Sequence, residues 1–446
     1  MNSRSSSTSK TWKVINLICW TGFLLIIQVI LPKQGFGKIY IDINAPSIQK
    51  INIAIPDFKN FSANKEHPEL SAAMPKVISN DLDLSGFFTT MDKEAFLDED
   101  GPFLTAQNIR FKNWSVIGAD LLLKCGYTCI GRSVEVEMRL YDVFRGRLII
   151  GRRVLGKIET YRSLMHRIGN EIIMALTGHQ GIFLTRLAFV GTSTGNKEIY
   201  ICDYDGHNVK QITSDRSIAM FPRWSPLGDK ILYNSYKDGG PMLYLKEFSR
   251  GGVKRISGRK GLNIGACWAS DGKKLALTLS YRGNPDIYSV DLEGKIIEQF
   301  TNHWGIDVSP SYSPDGTKIA FVSDRSGLPQ IYIRDLNLKR EERLTFEGKY
   351  NTSPAWSKMN RIAFSQMSGN RVDISTINPD GSNLRRLTED QGKNEDPCWS
   401  PDGRYIVFSS NRAGGYHLYI MNANGQNQRR ITFSKGEQTS PSWSSY

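Results

Sequence analysis

The chain has 446 residues and a mass of 50.3 kDa, which is too long for one ordinary domain. Its 40% hydrophobic and 23% charged residues exclude wholesale disorder. The 40 glycines beside 9 tryptophans, 18 tyrosines and 20 phenylalanines point to short strands and tight turns rather than a helical bundle. The formal net charge is +13, yet Lys and Arg never form a run of five, so no nucleic-acid partner is expected.

Residues 1–13 are polar and basic, and an apolar run follows from Val14 to Leu31. Pro32 breaks the run, and Gly35-Phe36-Gly37 offers small residues at a cleavage site. This predicts a secretory signal peptide over 1–37, cut after Gly37. The alternative is an uncleaved anchor, since the apolar run can nearly span a bilayer. Export places Cys125, Cys129, Cys202, Cys267 and Cys398 in an oxidising compartment. An odd, scattered set is not a disulfide framework, and buried inert thiols are expected. In a strand, Cys125 and Cys129 stand roughly 13 Å apart at ~3.3 Å per residue, beyond disulfide reach.

Residues 38–178 read as an α/β domain. Lys38–Ile43 and Ile51–Ile55 are predicted strands, and Pro68–Leu84 a helix ending before Gly86. A second helix is predicted over Thr105–Trp114. Three strands follow at Asp120–Thr128, Val134–Val143 and Leu148–Val154. The segment Ser163–Thr177 is an amphipathic helix with Leu164, Ile168, Ile172, Met174 and Leu176 on its apolar side, stopped by Gly178. Helices on a mixed sheet follow.

Residues 179–446 repeat. An aromatic anchor recurs at Trp224, Trp268, Tyr312, Trp356, Trp399 and Trp443, at spacings of 44, 44, 44, 43 and 44. A second series, Gln211-Ile212-Thr213 through Arg430-Ile431-Thr432, keeps the same spacings, and a third centres on Ile-Tyr-Ile triplets such as Ile199-Tyr200-Ile201. Each repeat holds four short strands divided by turns such as Ser313-Pro314-Asp315-Gly316, where Pro presets φ and Gly supplies a positive φ. Six such units predict a six-bladed β-propeller. The first unit opens on a second strand, so the first blade borrows its innermost strand from Thr439–Ser444 and the C-terminus closes the ring.

Catalytic signals are weak. Gly191-Thr192-Ser193-Thr194-Gly195 matches a nucleophile elbow but falls between two predicted strands, which makes it a hairpin loop. The six histidines form no close metal-ligand pair, and no phosphate-binding glycine motif occurs. No catalytic, cofactor or metal residue is therefore assigned. Five residues before each anchor stand Ala219, Asn263, Asp307, Asn351, Asn394 and Gln438. Sixfold geometry predicts these side chains around one mouth of the tunnel. There they either solvate the tunnel or form a recognition rim for a partner or ion.

The exported leader, the α/β domain and the repeats of type Pro-x-Trp-Ser-Pro-Asp-Gly together resemble the TolB family, periplasmic propeller proteins of the Tol-Pal system. The junction Leu176-Thr177-Gly178-His179-Gln180-Gly181-Ile182-Phe183 and the turn Asp203-Tyr204-Asp205-Gly206 resemble that family specifically. The resemblance implies a non-enzymatic periplasmic scaffold that binds the lipoprotein Pal over the propeller and TolA through its mature N-terminal segment. Such a scaffold maintains the outer membrane and supports its invagination in division. Carried onto this chain, Lys38, Ile39, Tyr40, Ile41 and Asp42 would face TolA. Asn263, Asp307, Asn351, Asn394 and Gln438 would lie at the Pal-facing mouth. Other outer-membrane proteins are further candidate partners, and a monomer is expected. The competing reading is a propeller-based periplasmic hydrolase or lyase, which needs a hydrolase domain or a tunnel cluster of acids, bases or metal ligands.

Overall fold

The fold comes from a computed structural model that describes residues 50–97, 104–249 and 251–446. The expected leader, the strand Lys38–Ile43 and the TolA-facing segment Lys38–Asp42 lie outside the described residues.

The first layer is a six-stranded mixed sheet. Strand β1 (Ile51–Ala54) pairs in parallel with both β3 (Phe88–Thr90) and β4 (Leu121–Ile130). The short β2 (Lys59–Asn60) also pairs with β4. Strands β4, β5 (Ser133–Asp142) and β6 (Arg147–Lys157) form an antiparallel meander. Helices α1 (Leu70–Ser85) and α3 (Tyr161–Thr177) pack together beside the sheet. The predicted helix Thr105–Trp114 is only partly formed. A single 3-10 turn covers Ala106–Asn108, and the short helix α2 (Phe111–Val116) follows it.

Two local devices set this layer. Pro75 lies inside α1 and has no N–H to offer Ser71. The freed Ser71 carbonyl accepts from Phe58 N at 3.0 Å, while Ser71 Oγ donates to Phe58 O at 2.7 Å. A proline that would weaken an isolated helix thus ties α1 to the loop before β2. Helix α3 ends on Gly178 at φ +73°, a left-handed cap that glycine adopts without cost. Met174 departs from the expected apolar side and is exposed. Two positions beyond Ile172 it is turned by about 200° around the helix.

The second layer is the propeller, six four-stranded sheets. The first blade orders Gln438–Trp443 beside Arg186–Gly191, Glu198–Asp203 and Lys210–Gln211, so the last strand of the chain is the innermost strand of the first blade. Every other blade runs from inside to outside in chain order. Hydrophobic clusters fill the gaps between blades. Ala276 and Ile287 of the third blade, for example, meet Ile319, Phe321 and Tyr332 of the fourth.

The two repeat series have separate hydrogen-bonding reasons. Two anchors stitch their blade to the one before: Trp268 Nε1 donates to Arg223 O at 3.1 Å and Trp399 Nε1 to Ala355 O at 2.9 Å, while Trp443 Nε1 donates to Thr185 Oγ1 at 2.8 Å, beside the second strand of its own blade. The threonines work within each blade. Thr213, Thr301, Thr345, Thr388 and Thr432 accept the N–H of the third strand at 2.8–3.0 Å. The residue two before the threonine then caps its carbonyl, as Gln299 and Arg343 do at 2.9 and 2.6 Å.

Topology gives the propeller two unlike faces. Loops joining first to second and third to fourth strands lie on one face, where the N-terminal layer docks. Tyr405 Oη donates to Ser85 O at 2.8 Å, and Arg429 Nη2 donates to Asn80 O at 3.3 Å. One hydrophobic cluster runs unbroken across this joint, from Leu82, Leu84 and Phe87 to Tyr204, Tyr405 and Trp443. Among the described residues no second layer covers the opposite face. It carries the loops from second to third strand and from each fourth strand to the next blade.

The hairpin expectation for Gly191–Gly195 holds, since the segment joins antiparallel strands Arg186–Gly191 and Glu198–Asp203. Ser193 Oγ there shares a hydrogen bond of 2.8 Å with Tyr200 Oη. The five described cysteines are free thiols, and burial pushes Cys267 up to about 12.

Candidate functional site

The open face is built on a repeated polar network. At its base stand the residues that begin each innermost strand. The expectation of a solvated rim is corrected here: Asn263, Asp307, Asn351, Asn394 and Gln438 are all at most 1% exposed. The cause is a bulge. Each innermost strand carries one extra residue against its neighbour, for example between Met220 and Arg223 and between Val308 and Ser311. One extra residue reverses the alternation. The side chain five before the anchor therefore shares the anchor's sheet face and enters the gap between blades.

There each side chain is paired inside the protein. Asn263 Oδ1 accepts from Ser257 Oγ at 2.6 Å and from Arg259 N at 3.0 Å, and its Nδ2 donates to Arg259 O at 2.7 Å. Asn351 Nδ2 donates to Gln330 Oε1 at 2.7 Å and to Glu347 O at 2.8 Å. Asn394 Oδ1 accepts from Arg412 Nη2 at 2.8 Å. Gln438 Nε2 donates to Gly436 O at 2.8 Å, and its Oε1 lies 2.7 Å from His417 Nδ1. Asp307 is salt-bridged to Arg325 at 2.8 Å, and Arg325 also pairs with Glu341. Burial raises the Asp307 carboxyl against the opposing pull of Ser323 and Arg325. These enclosed side chains shape the loops between blades.

The bulges create a different ring. Its third-position residues, Phe221, Gly265, Ser309, Ser353, Asp396 and Ser440, all have φ between +51° and +64°. Neighbouring inner strands meet through them. Ser353 Oγ and Ser440 Oγ donate to the two oxygens of Asp396 at 2.8 and 2.9 Å. Near this ring a cavity of about 310 Å³ is bounded by Tyr350, Thr352, Ser353, Glu395 and Asp396. The sequence carried the signal in Ser-Pro and Asp-Pro pairs, but the bulge that turns them was not read.

Above the buried network the loops between blades expose large aromatics. Trp304 is 73%, Phe346 73% and Phe433 74% exposed. Phe346 and Phe433 are each propped by a guanidinium, Arg343 and Arg430, at 4.8 Å from the ring centre. Each follows the threonine of its repeat, as Thr345-Phe346 and Thr432-Phe433. Sequence reasoning passed over them, because an aromatic beside the repeat threonine reads as one more core residue.

A closed ring with exposed aromatics on one face and a second layer on the other defines a two-domain propeller protein. Its sequence places it more narrowly. Residues 39–149 match the TolB amino-terminal domain and residues 173–446 the TolB beta propeller domain, so the chain belongs to the TolB family. It is similar to the Tol-Pal system protein TolB of Desulfosudis oleivorans, 41% identical over 49% of this chain and 50% of that protein. It is 42% identical to the Tol-Pal system protein TolB of Syntrophotalea carbinolica, over 47% of this chain and 48% of that one. The chain spans about half the length of the curated relatives it matches. The crystal structure of TolB from Acinetobacter baumannii superposes with a TM-score of 0.78 at 28% identity, covering 92% of this chain and all of that one.

Proposed function

We propose that this protein is a non-enzymatic periplasmic scaffold of a Tol-Pal system. On this reading it binds Pal over the open face of the propeller and TolA through Lys38–Asp42. It thereby serves outer-membrane integrity and invagination of that membrane during division. Family membership supports the system, and the observation that carries the Pal site is the set of propped aromatics on the open face. Exposed aromatics held in place bind at low ordering cost and dominate many protein interfaces. The buried Asn263, Asp307, Asn351, Asn394 and Gln438 contribute by holding the loops that present them.

The test is calorimetric titration with the cognate Pal domain. The triple change Trp304→Ala, Phe346→Ala and Phe433→Ala is expected to weaken binding by ~2 kcal/mol or more, at least about thirtyfold. Undiminished affinity would move Pal off this face. Removing residues 38–42 is expected to abolish TolA capture while leaving Pal binding intact.

A further inference from the structure

At the joint between the two layers lies a buried ionic cluster that the scaffold reading does not use. Asp81 comes from α1, His166 and Arg162 from α3, and Tyr204 and Asp205 from the first-blade turn between Glu198–Asp203 and Lys210–Gln211. Asp81 is 0% and His166 1% exposed. His166 Nδ1 faces both Asp81 oxygens, at 2.8 and 3.1 Å. Its Nε2 has no hydrogen-bond partner and lies 3.7 Å from Asp205 Oδ2. Tyr204 Oη donates to Asp81, and Arg162 donates to Asp205. The cluster is packed tightly. A side chain at Gly169 would meet Phe183 at 2.9 Å and Asp81 at 3.1 Å, so only glycine lets α3 approach this closely.

Ligand atoms of Asp81, His166 and Asp205 lie within 4.8 Å of one another, the spacing of a cation site. The protein already fills that role, since the guanidinium of Arg162 sits on Asp205 and the Tyr204 hydroxyl on Asp81. Arg162 and Arg429 supply positive charge against the two carboxylates, and an imidazolium at His166 would face both of them. A neutral imidazole donating from Nδ1 to Asp81 would turn the lone pair of Nε2 toward the Asp205 carboxylate. An imidazolium donates from Nδ1 to Asp81 and turns a positive Nε2–H toward the Asp205 carboxylate 3.7 Å away.

We propose that His166 is a proton-charged latch, an imidazolium held between Asp81 of the N-terminal layer and Asp205 of the first blade that locks the two layers together while it keeps its proton. The surrounding groups pull in both directions, and burial raises the Asp81 carboxyl against its hydrogen bonds to His166 and Tyr204. Burial disfavours the charged ring, but the Asp81 hydrogen bond and the charges of Asp81 and Asp205 outweigh it, while Arg162 opposes them. The net effect lifts His166 above its usual 6.5. Burial also works against the Asp205 anion, yet the His207 hydrogen bond and the charges of His166 and Arg162 hold its carboxyl well below the usual range. From the fourth strand of the sixth blade, Arg429 adds positive charge toward Asp81 and Tyr204. A group whose folded value is raised stabilises fully below its unfolded value and loses that contribution as pH climbs through the folded one. The latch is thus closed below the ordinary histidine range and opens as pH climbs through the raised value of the folded ring.

Two measurements on the full chain decide this. In histidine-labelled protein, NMR titration is expected to show both ring nitrogens of His166 protonated below its transition, and that transition above the usual 6.5 of histidine. A His166 transition at or below 6.5 overturns the proposal. Hydrogen exchange, expressed as protection to remove intrinsic rates, is expected to fall by about tenfold at residues 79–86, 161–178 and 203–207 once the ring loses its proton. Protection at residues 330–345, in the far blade, is expected to stay constant. Joint protection independent of pH, or a loss shared equally by the far blade, overturns it. His166→Gln is expected to give the open-joint pattern both below and above the wild-type transition, and the wild-type comparison stands without it.

Discussion

The two faces of the propeller use one repeat for opposite ends. On the joint face, Tyr204, Tyr405 and Trp443 join a hydrophobic cluster shared with α1, and the charges there are enclosed and paired. On the open face the polar groups are equally buried, but the aromatics above them stand in solvent. The difference lies in a few loop residues on a constant frame. Aromatics that point into a partner layer become core, whereas those propped by Arg343 and Arg430, uncovered by any other described residue layer, stand in solvent. The frame thus carries stability between blades and at the joint, and the loops are left exposed.

The sharpest way to break this comparison is to open the ring itself. Deleting Gln438–Tyr446 removes the innermost strand of the first blade and the buried Trp443, whose truncation alone costs ~3–5 kcal/mol. That loss rivals the ~5–15 kcal/mol holding a domain, so the truncated chain is expected to lose its cooperative thermal transition. A melt like that of the full chain would refute closure by the C-terminal strand.

Next in size is the buried support of the open face. Asp307→Ala leaves Arg325 enclosed with one of its two acidic partners gone. A destabilisation of ~3–5 kcal/mol is expected by denaturant titration. A solvated rim residue would have cost little, so this variant separates the buried network from the tunnel-mouth expectation. A smaller loss, ~1–3 kcal/mol, is expected from Tyr405→Phe, which leaves the Ser85 carbonyl without its donor across the joint. Its effect is expected in exchange at the joint rather than in the far blades.

Least affected in stability is the exposed aromatic surface. Trp304→Ala, Phe346→Ala and Phe433→Ala are each expected to shift stability by no more than about 0.5 kcal/mol while weakening partner binding. If these changes lower the melting temperature as Asp307→Ala does, the two faces do not divide their tasks as described.

Much of this architecture was legible in the chain. Six anchors at spacings of 44 or 43 demanded six equivalent blades, because each repeat can bury its apolar face only against its neighbours. The offset of the first unit likewise required a strand from the far end. The polar residues five before each anchor were also found, and their periodicity was right. Their direction was not, because a bulge of one residue in each innermost strand reverses which side of the sheet a side chain enters. Pattern fixes period, and a single residue at positive φ resets parity.

Local pattern therefore determined the blades, their number and their closure, since these follow from near-neighbour hydrogen bonding and burial repeated along the chain. Only the tertiary structure decided which residues meet across the joint. Asp81, His166 and Asp205 are separated by 85 and 39 positions and share no motif, yet folding encloses them in one buried cluster. Charge pairing of that kind depends on how two layers approach, and on a glycine at position 169 that lets them come close enough.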